Sequence, residues 1–147
     1  MTKDVLVRIR GLQMMAEDQD EMEIILPGSY LIKDGRHYIR YEEAVEGAEG
    51  TIQNLIKIDA SSMEVTKRGL TNVRMVFEKD KKHQTYYGTP YGDIPIGIHV
   101  KHMEMEHEEN RLRVTVDYAL EMNDEHQADC TIHMEVQSKE DQDFRLS

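Results

Sequence analysis

Tryptophan is absent from the 147 residues, phenylalanine occurs twice, cysteine once and proline three times. With one thiol, Cys130, an internal disulfide is excluded, and no CxxC or Cys/His zinc spacing stands beside it. A reducing compartment fits, and the cytoplasm is the expected location. The stretch from Met1 to Arg8 turns charged again soon after its first apolar residue, so neither a signal peptide nor a membrane span is expected there. Basic residues are outnumbered, 18 Lys and Arg against 29 Asp and Glu, for a net charge of −11. Such a field repels phosphate backbones and anionic lipid, so neither nucleic acid nor a membrane is an expected partner. The cations Arg8, Arg10, Lys33, Arg36, Arg40, Lys57, Lys67, Arg68 and Arg74 are scattered along the chain, and the one dense run, Lys79 to Lys82, reads as a solvated hairpin turn.

Helical periodicity is missing too, since no window of about a dozen residues keeps apolar side chains at i, i+3, i+4 and i+7. Alternation with period 2 takes its place. Val5, Val7 and Ile9 alternate with Leu6, Arg8 and Arg10 in a strand expected to reach about Met15. The acidic turn Glu17 to Asp20 leads to Met22, Ile24 and Leu26, and Pro27-Gly28 is expected to break or bulge that strand before Tyr30. Asp34-Gly35 supplies the positive φ of a tight hairpin. Further strands are expected over His37 to Glu43, Thr51 to Asp59, Met63 to Lys67, Val73 to Glu78 and His83 to Tyr87. Three long ones follow, over roughly Ile96 to His107, Leu112 to Met122 and Ala128 to Val136.

Between the short and long strands lies the segment from Gly88 to Ile98, with Pro90 and Pro95 and the three glycines Gly88, Gly92 and Gly97. It reads as a chain reversal feeding an irregular edge, because proline donates nothing to a ladder. Matching apolar faces predicts Met103 opposite Val116 and Met105 opposite Val114. In the next hairpin it predicts Val114 opposite Val136 and Val116 opposite Met134, with a turn around Asn123 to Glu125. About ten strands are too many for an open twisted sheet with no covering helix, and neither a repeat nor a linker divides the chain. The expectation is one domain over residues 1–147, an all-β antiparallel barrel of eight to ten strands.

Tyr41-Glu42-Glu43, the strand around Ile56-Lys57-Ile58, Lys67-Arg68-Gly69-Leu70, Met75-Val76-Phe77 and the corner Tyr87-Gly88-Thr89-Pro90-Tyr91-Gly92, continuing to Pro95-Ile96-Gly97-Ile98, resemble the YwiB-like family of uncharacterised bacterial proteins. The resemblance spans most of the chain. It implies a calycin-like, lipocalin-like barrel in the bacterial cytoplasm, and it implies no activity, so no catalytic residue is carried over.

Nucleophilic chemistry has little to rest on. There is no Gly-x-Ser-x-Gly elbow, Walker loop or Gly-x-Gly-x-x-Gly, and Cys130 falls on an apolar strand face as a packed thiol. The predicted registers put His102 opposite Asp117 and Asp117 opposite His133, a row of metal-binding residue types on the polar face, although exposed strands carry such pairs commonly. Ten methionines read as core fillers or as the lining of an apolar ligand site. Tyr87, Tyr91 and Ile94 are expected to line an entrance beside the proline corner, at the end of the barrel away from Asp34-Gly35. The preferred function is non-enzymatic binding of a small apolar or amphipathic molecule, with no cofactor. The alternatives are a metal-assisted enzyme using His102, Asp117 and His133, and a filled interaction module that dimerises through a sheet edge.

Overall fold

A computed structural model describes residues 3–11, 23–44, 47, 49–70, 72–89 and 91–139. Ten strands follow one another: β1 (Asp4–Arg10), β2 (Glu23–Lys33), β3 (Arg36–Ala44), β4 (Thr51–Ile58), β5 (Ser62–Gly69), β6 (Val73–Glu78), β7 (Lys82–Thr89), β8 (Gly92–Glu108), β9 (Arg111–Met122) and β10 (Glu125–Ser138). They form one sheet in the order β6-β5-β4-β3-β2-β1-β10-β9-β8-β7, with each neighbouring pair antiparallel. Each strand but β6 therefore ladders with its successor, β10 returns to β1, and among the described residues the β6–β7 junction alone lacks a ladder. This is a nearly closed, calycin-like barrel.

Period 2 dictates the inside. On β3 to β6 the inward residues stack in cross-strand rows: His37, Ile58, Met63 and Phe77, then Ile39, Ile56, Val65 and Met75, then Tyr41, Asn54, Lys67 and Val73. Val7, Val136 and Leu112 continue the apolar wall on β1, β10 and β9. The interior is packed across its width. Phe77 on β6 meets Tyr118 on β9 edge to face, with ring centroids 5.0 Å apart. Of the strand methionines, Met63, Met75, Met103 and Met134 belong to this core, while Met105 and Met122 are partly buried against it.

Several expected details differ. The first strand ends at Arg10, short of Met15, and the acidic turn with Met22 lies outside the described residues. Pro27-Gly28 neither breaks nor bulges β2, because β1 pairs straight through Pro27 while the ladder to β3 stops at Ser29. A Cβ on Gly28 would stand 2.6 Å from the Arg40 carbonyl oxygen, so glycine lets β3 lie close there. The corner reverses the chain as expected but feeds a regular ladder, since β7 and β8 pair from Lys82–His99 to Thr89–Gly92. The expected pairing of β8 with β9 is present, Met103 facing Val116, with a register shift between Val100 and His102. In the β9–β10 hairpin Val116 faces Ile132 and Tyr118 faces Cys130, two residues away from the expected register, and a further shift falls between His126 and Ala128.

The connections sort onto two ends. At one, the hairpin end, β2 joins β3, β4 joins β5, β6 joins β7 and β8 joins β9; at the other, the corner end, lie the C-terminal ends of β1, β3, β5, β7 and β9 and the starts of the strands that follow them. At the hairpin end, Asp59 Oδ1 accepts hydrogen bonds from the backbone N–H groups of Ser61 and Ser62, each at 2.9 Å, and from both serine hydroxyls. Those donors, the Ser61 N–H first, hold the Asp59 carboxyl below its usual range.

Candidate functional site

The hairpin end is plugged. His37, only 3% exposed, lies on β3, and its ring meets that of His107 on β8 at 4.7 Å between centroids. Those strands are five places apart around a ten-strand ring, so side chains from opposite walls touch. Tyr30 completes the plug through a short hydrogen bond between its hydroxyl and His37 Nδ1. Burial, and then the neighbouring His107, push the His37 pKa down, while burial pushes the Tyr30 pKa up. The neutral pair is thus favoured, with the Tyr30 hydroxyl donating to His37 Nδ1.

The corner end differs in chemistry. Tyr41, Asn54 and Lys67 share one inward cross-strand row, and Glu43 stands one inward position nearer the rim. Lys67 Nζ donates to Glu43 Oε1 at 2.9 Å and to Asn54 Oδ1 at 2.8 Å, and Asn54 Nδ2 donates to Glu43 Oε1 at 2.9 Å. The Lys67 and Glu43 side chains retain 11% and 20% of their exposure, which makes this a largely buried ion pair on an otherwise apolar wall. It leaves valence spare. An ammonium has three N–H donors and a carboxylate two oxygens, and the bonds above use two of the former and only one of the latter. The Tyr41 hydroxyl, buried two residues before Glu43, makes no hydrogen bond among the described residues, and burial together with the Glu43 charge drives its pKa far up. The arrangement presents donors and one acceptor at the corner end.

The residues singled out from sequence fare unequally. Tyr87 and Ile94 are cross-strand partners, both partly buried against the core at the corner end. Tyr91 is 99% exposed and lines no mouth, because the turn it occupies points it outward. The junction without a ladder is that of β6 with β7, on the far side of β7 from the proline corner. The metal row does not form. Asp117 faces Thr131, whose Oγ1 donates to Asp117 Oδ1 at 2.7 Å, and His133 faces Thr115. His102 does sit opposite Asp117, yet its Nε2 lies 2.9 Å from Glu104 Oε1. Among the described residues no three His, Cys, Asp or Glu side chains are placed to hold a metal ion. Cys130 lies opposite Tyr118, half-buried, with its thiol pKa raised chiefly by burial, which matches an inert packed thiol.

Sequence reasoning missed Glu43, Asn54 and Lys67. The signal was a polar residue in an apolar register, as in Ile52-Gln53-Asn54-Leu55-Ile56, where Asn54 takes the inward place.

Among the described residues, no helix is long and apolar enough to cross a membrane. The structure is similar to the crystal structure of the ywiB protein from Bacillus subtilis, with a TM-score of 0.77 at 14% identity over 92% of each chain, a likeness that shows the fold. No curated protein matches the chain. The family model described as a domain of unknown function, DUF1934, matches residues 7–134, and with that span of the barrel accounted for, the chain belongs to the DUF1934 family.

Proposed function

We propose that the protein binds a small amphipathic molecule, without turning it over, at the corner end of the barrel. The observation that carries this reading is the Glu43–Lys67 ion pair with its unspent hydrogen-bonding capacity and the unpartnered Tyr41 hydroxyl beside it. Desolvating two charges costs several kcal/mol per ion in round terms, about as much as their attraction returns, so an apolar pair would serve a merely structural wall as well. A ligand head group that accepts from Lys67 and Tyr41 gives the cluster a use. The apolar part of the ligand would rest against Leu26, Tyr87, Ile94 and Met122, which are partly buried at the edge of the core. The plugged hairpin end makes the corner end the door.

Native mass spectrometry on protein taken from its own host is the direct test, because a retained molecule names the ligand class. In parallel, displacement of a bound fluorescent fatty acid should weaken about tenfold in Tyr87→Ala and Ile94→Ala, each of which removes a large apolar contact. No retained molecule, together with no saturable binding of the fluorescent probe, overturns the reading.

A further inference from the structure

The excess of carboxylates is not spread evenly over the surface. On the outer face of β3 to β6, Arg40, Lys57, Arg68 and Arg74 surround an open groove of about 570 Å³, and Glu64 is the one carboxylate among its lining residues. The ladders explain the gathering. Arg40, Leu55, Thr66 and Arg74 form one outward cross-strand row, Lys57 lies two residues beyond Leu55, and Arg68 lies two beyond Thr66 in the opposite direction. With strands about 4.8 Å apart and about 3.3 Å per residue, the four cations mark a diamond about 14 Å across on each diagonal, centred on Leu55 and Thr66. Long side chains from its corners reach that centre.

One corner is paired directly, and Lys57, opposite Glu64 in the β4–β5 ladder, acts on the same carboxylate at longer range. Arg74 Nε pairs with Glu64 Oε1 at 2.8 Å, a hydrogen bond that holds the Glu64 carboxyl below its usual range. Among the described residues, Arg40, Lys57 and Arg68 have no carboxylate within ion-pair distance. The opposite wall carries Glu104, Glu106, Glu108, Asp117, Glu121, Asp129 and Glu135 on β8 to β10. A barrel of net charge −11 that keeps three unpaired cations around one groove is built to attract negative charge to that place and to repel it elsewhere.

We propose that this groove binds a compact polyanion, a small molecule carrying two or more phosphate or carboxylate groups. A single monoanion engages at most one or two corners of the diamond. A long polyanion such as a nucleic acid runs off a patch about 14 Å wide onto surface of its own sign. Arginine's fork suits either oxyanion in bidentate geometry, and the Thr66 hydroxyl and the Gln53 and Asn72 amides line the same groove as neutral donors. The groove's lining also includes the inward residues Asn54, Lys67 and Val73, but Arg40 and Arg68, the residues altered in the test below, take no part in the Glu43–Lys67 cluster, so either site can fail without the other.

Inorganic tripolyphosphate and citrate, titrated separately and followed by calorimetry and proton–nitrogen NMR correlation spectra, test the proposal. The expected result is saturable binding of at least one of them, with shifts confined to amides around Gln53, Leu55, Thr66 and Arg68. Binding should weaken at least about tenfold in Arg40→Gln/Arg68→Gln, since a charge-assisted hydrogen bond is worth about 1.5–3 kcal/mol. Lys101→Gln, on the opposite wall, should leave it unchanged. Both arginines are at the surface, and an unaltered thermal midpoint verifies that the double variant is folded. Tripolyphosphate alone binding assigns the site to phosphates, citrate alone to carboxylates, and either outcome supports it. Absence of saturable binding to both, affinity unchanged in the double variant, or a single-stranded oligonucleotide competing as tightly as tripolyphosphate overturns it.

Discussion

At the scale of single residues, two inward-facing polar groups set the chemistry of the two ends. Breaking a buried ion pair costs about 3–5 kcal/mol where both charges are fully desolvated, and the residual exposure of Lys67 and Glu43 should lower that to about 2 kcal/mol for Lys67→Met. The double variant Glu43→Gln/Lys67→Met removes the orphaned charge and should recover half or more of the loss in urea unfolding; a double variant no more stable than the single one would show that the pair is uncoupled. At the other end His37 makes stability depend on pH. Its folded pKa lies below the ordinary value of about 6.5, so below that pH the unfolded chain holds the extra proton. Stability is therefore complete above about pH 6.5 and falls as pH drops from there through the folded value. Unfolding midpoints recorded between neutral and mildly acid pH should decline in the parent and decline less in His37→Gln; parallel curves would remove His37 as the cause. These residues were only partly legible beforehand. Alternation revealed which face each occupies, but a lysine on an inward face was read as one more scattered cation, since its partners Glu43 and Asn54 lie 24 and 13 residues away.

Among elements, the β9–β10 hairpin shows what patterning can and cannot decide. Sliding one strand past the other by two residues keeps every apolar side chain facing an apolar one, so face matching alone cannot choose between registers that differ by two. The turn breaks the tie. Asn123 and Asp124 both have positive φ, 52° and 64°, as a two-residue primed hairpin turn requires, and Met122 then pairs with Glu125. The shift between His126 and Ala128 sets the rest of the ladder. The register that results pairs Asp117 with Thr131 and leaves His133 two residues further along, which is why a metal row drawn from the pattern is not found. Left-handed backbone costs an ordinary residue about 1–2 kcal/mol, so Asp124→Val should lower unfolding stability by about that much, while Asp124→Gly should raise it by up to about 1 kcal/mol. Equal stabilities for the two variants would contradict the turn assignment. By the same logic Gly69, with φ of 124° and a Cβ position 2.3 Å from the Thr51 carbonyl oxygen, should tolerate no side chain. Its replacement by alanine should cost more than the Asp124 changes.

For the whole molecule, strand number and barrel class were legible because period 2 ran from end to end. The sorting of loops onto two ends was not, since it needs the order of the sheet. That order has one weak place. Amide hydrogen exchange should find the strand edges of β6 and β7 that face each other among the quickest to open, because no ladder protects them; protection there equal to that of β9 would argue for a ladder. The same junction makes the described strands, in topological terms, a ring of hairpins with a single missing link, and the first and last strands do not fall at it. The first and last strands meet instead at the β1–β10 ladder, where the Lys139 N–H donates to the Asp4 carbonyl at 3.2 Å. A circular permutant with a short bridge joining residue 139 to residue 4 and new ends in the 79–81 turn would run from β7 through β10 and β1 to β6. Every strand in it would then pair with its immediate predecessor, and the long loop closure that β1 now makes with β10 would vanish. Such a chain should reach the same fold faster than its parent, since the order in which this barrel is written is not the order in which it is most easily closed.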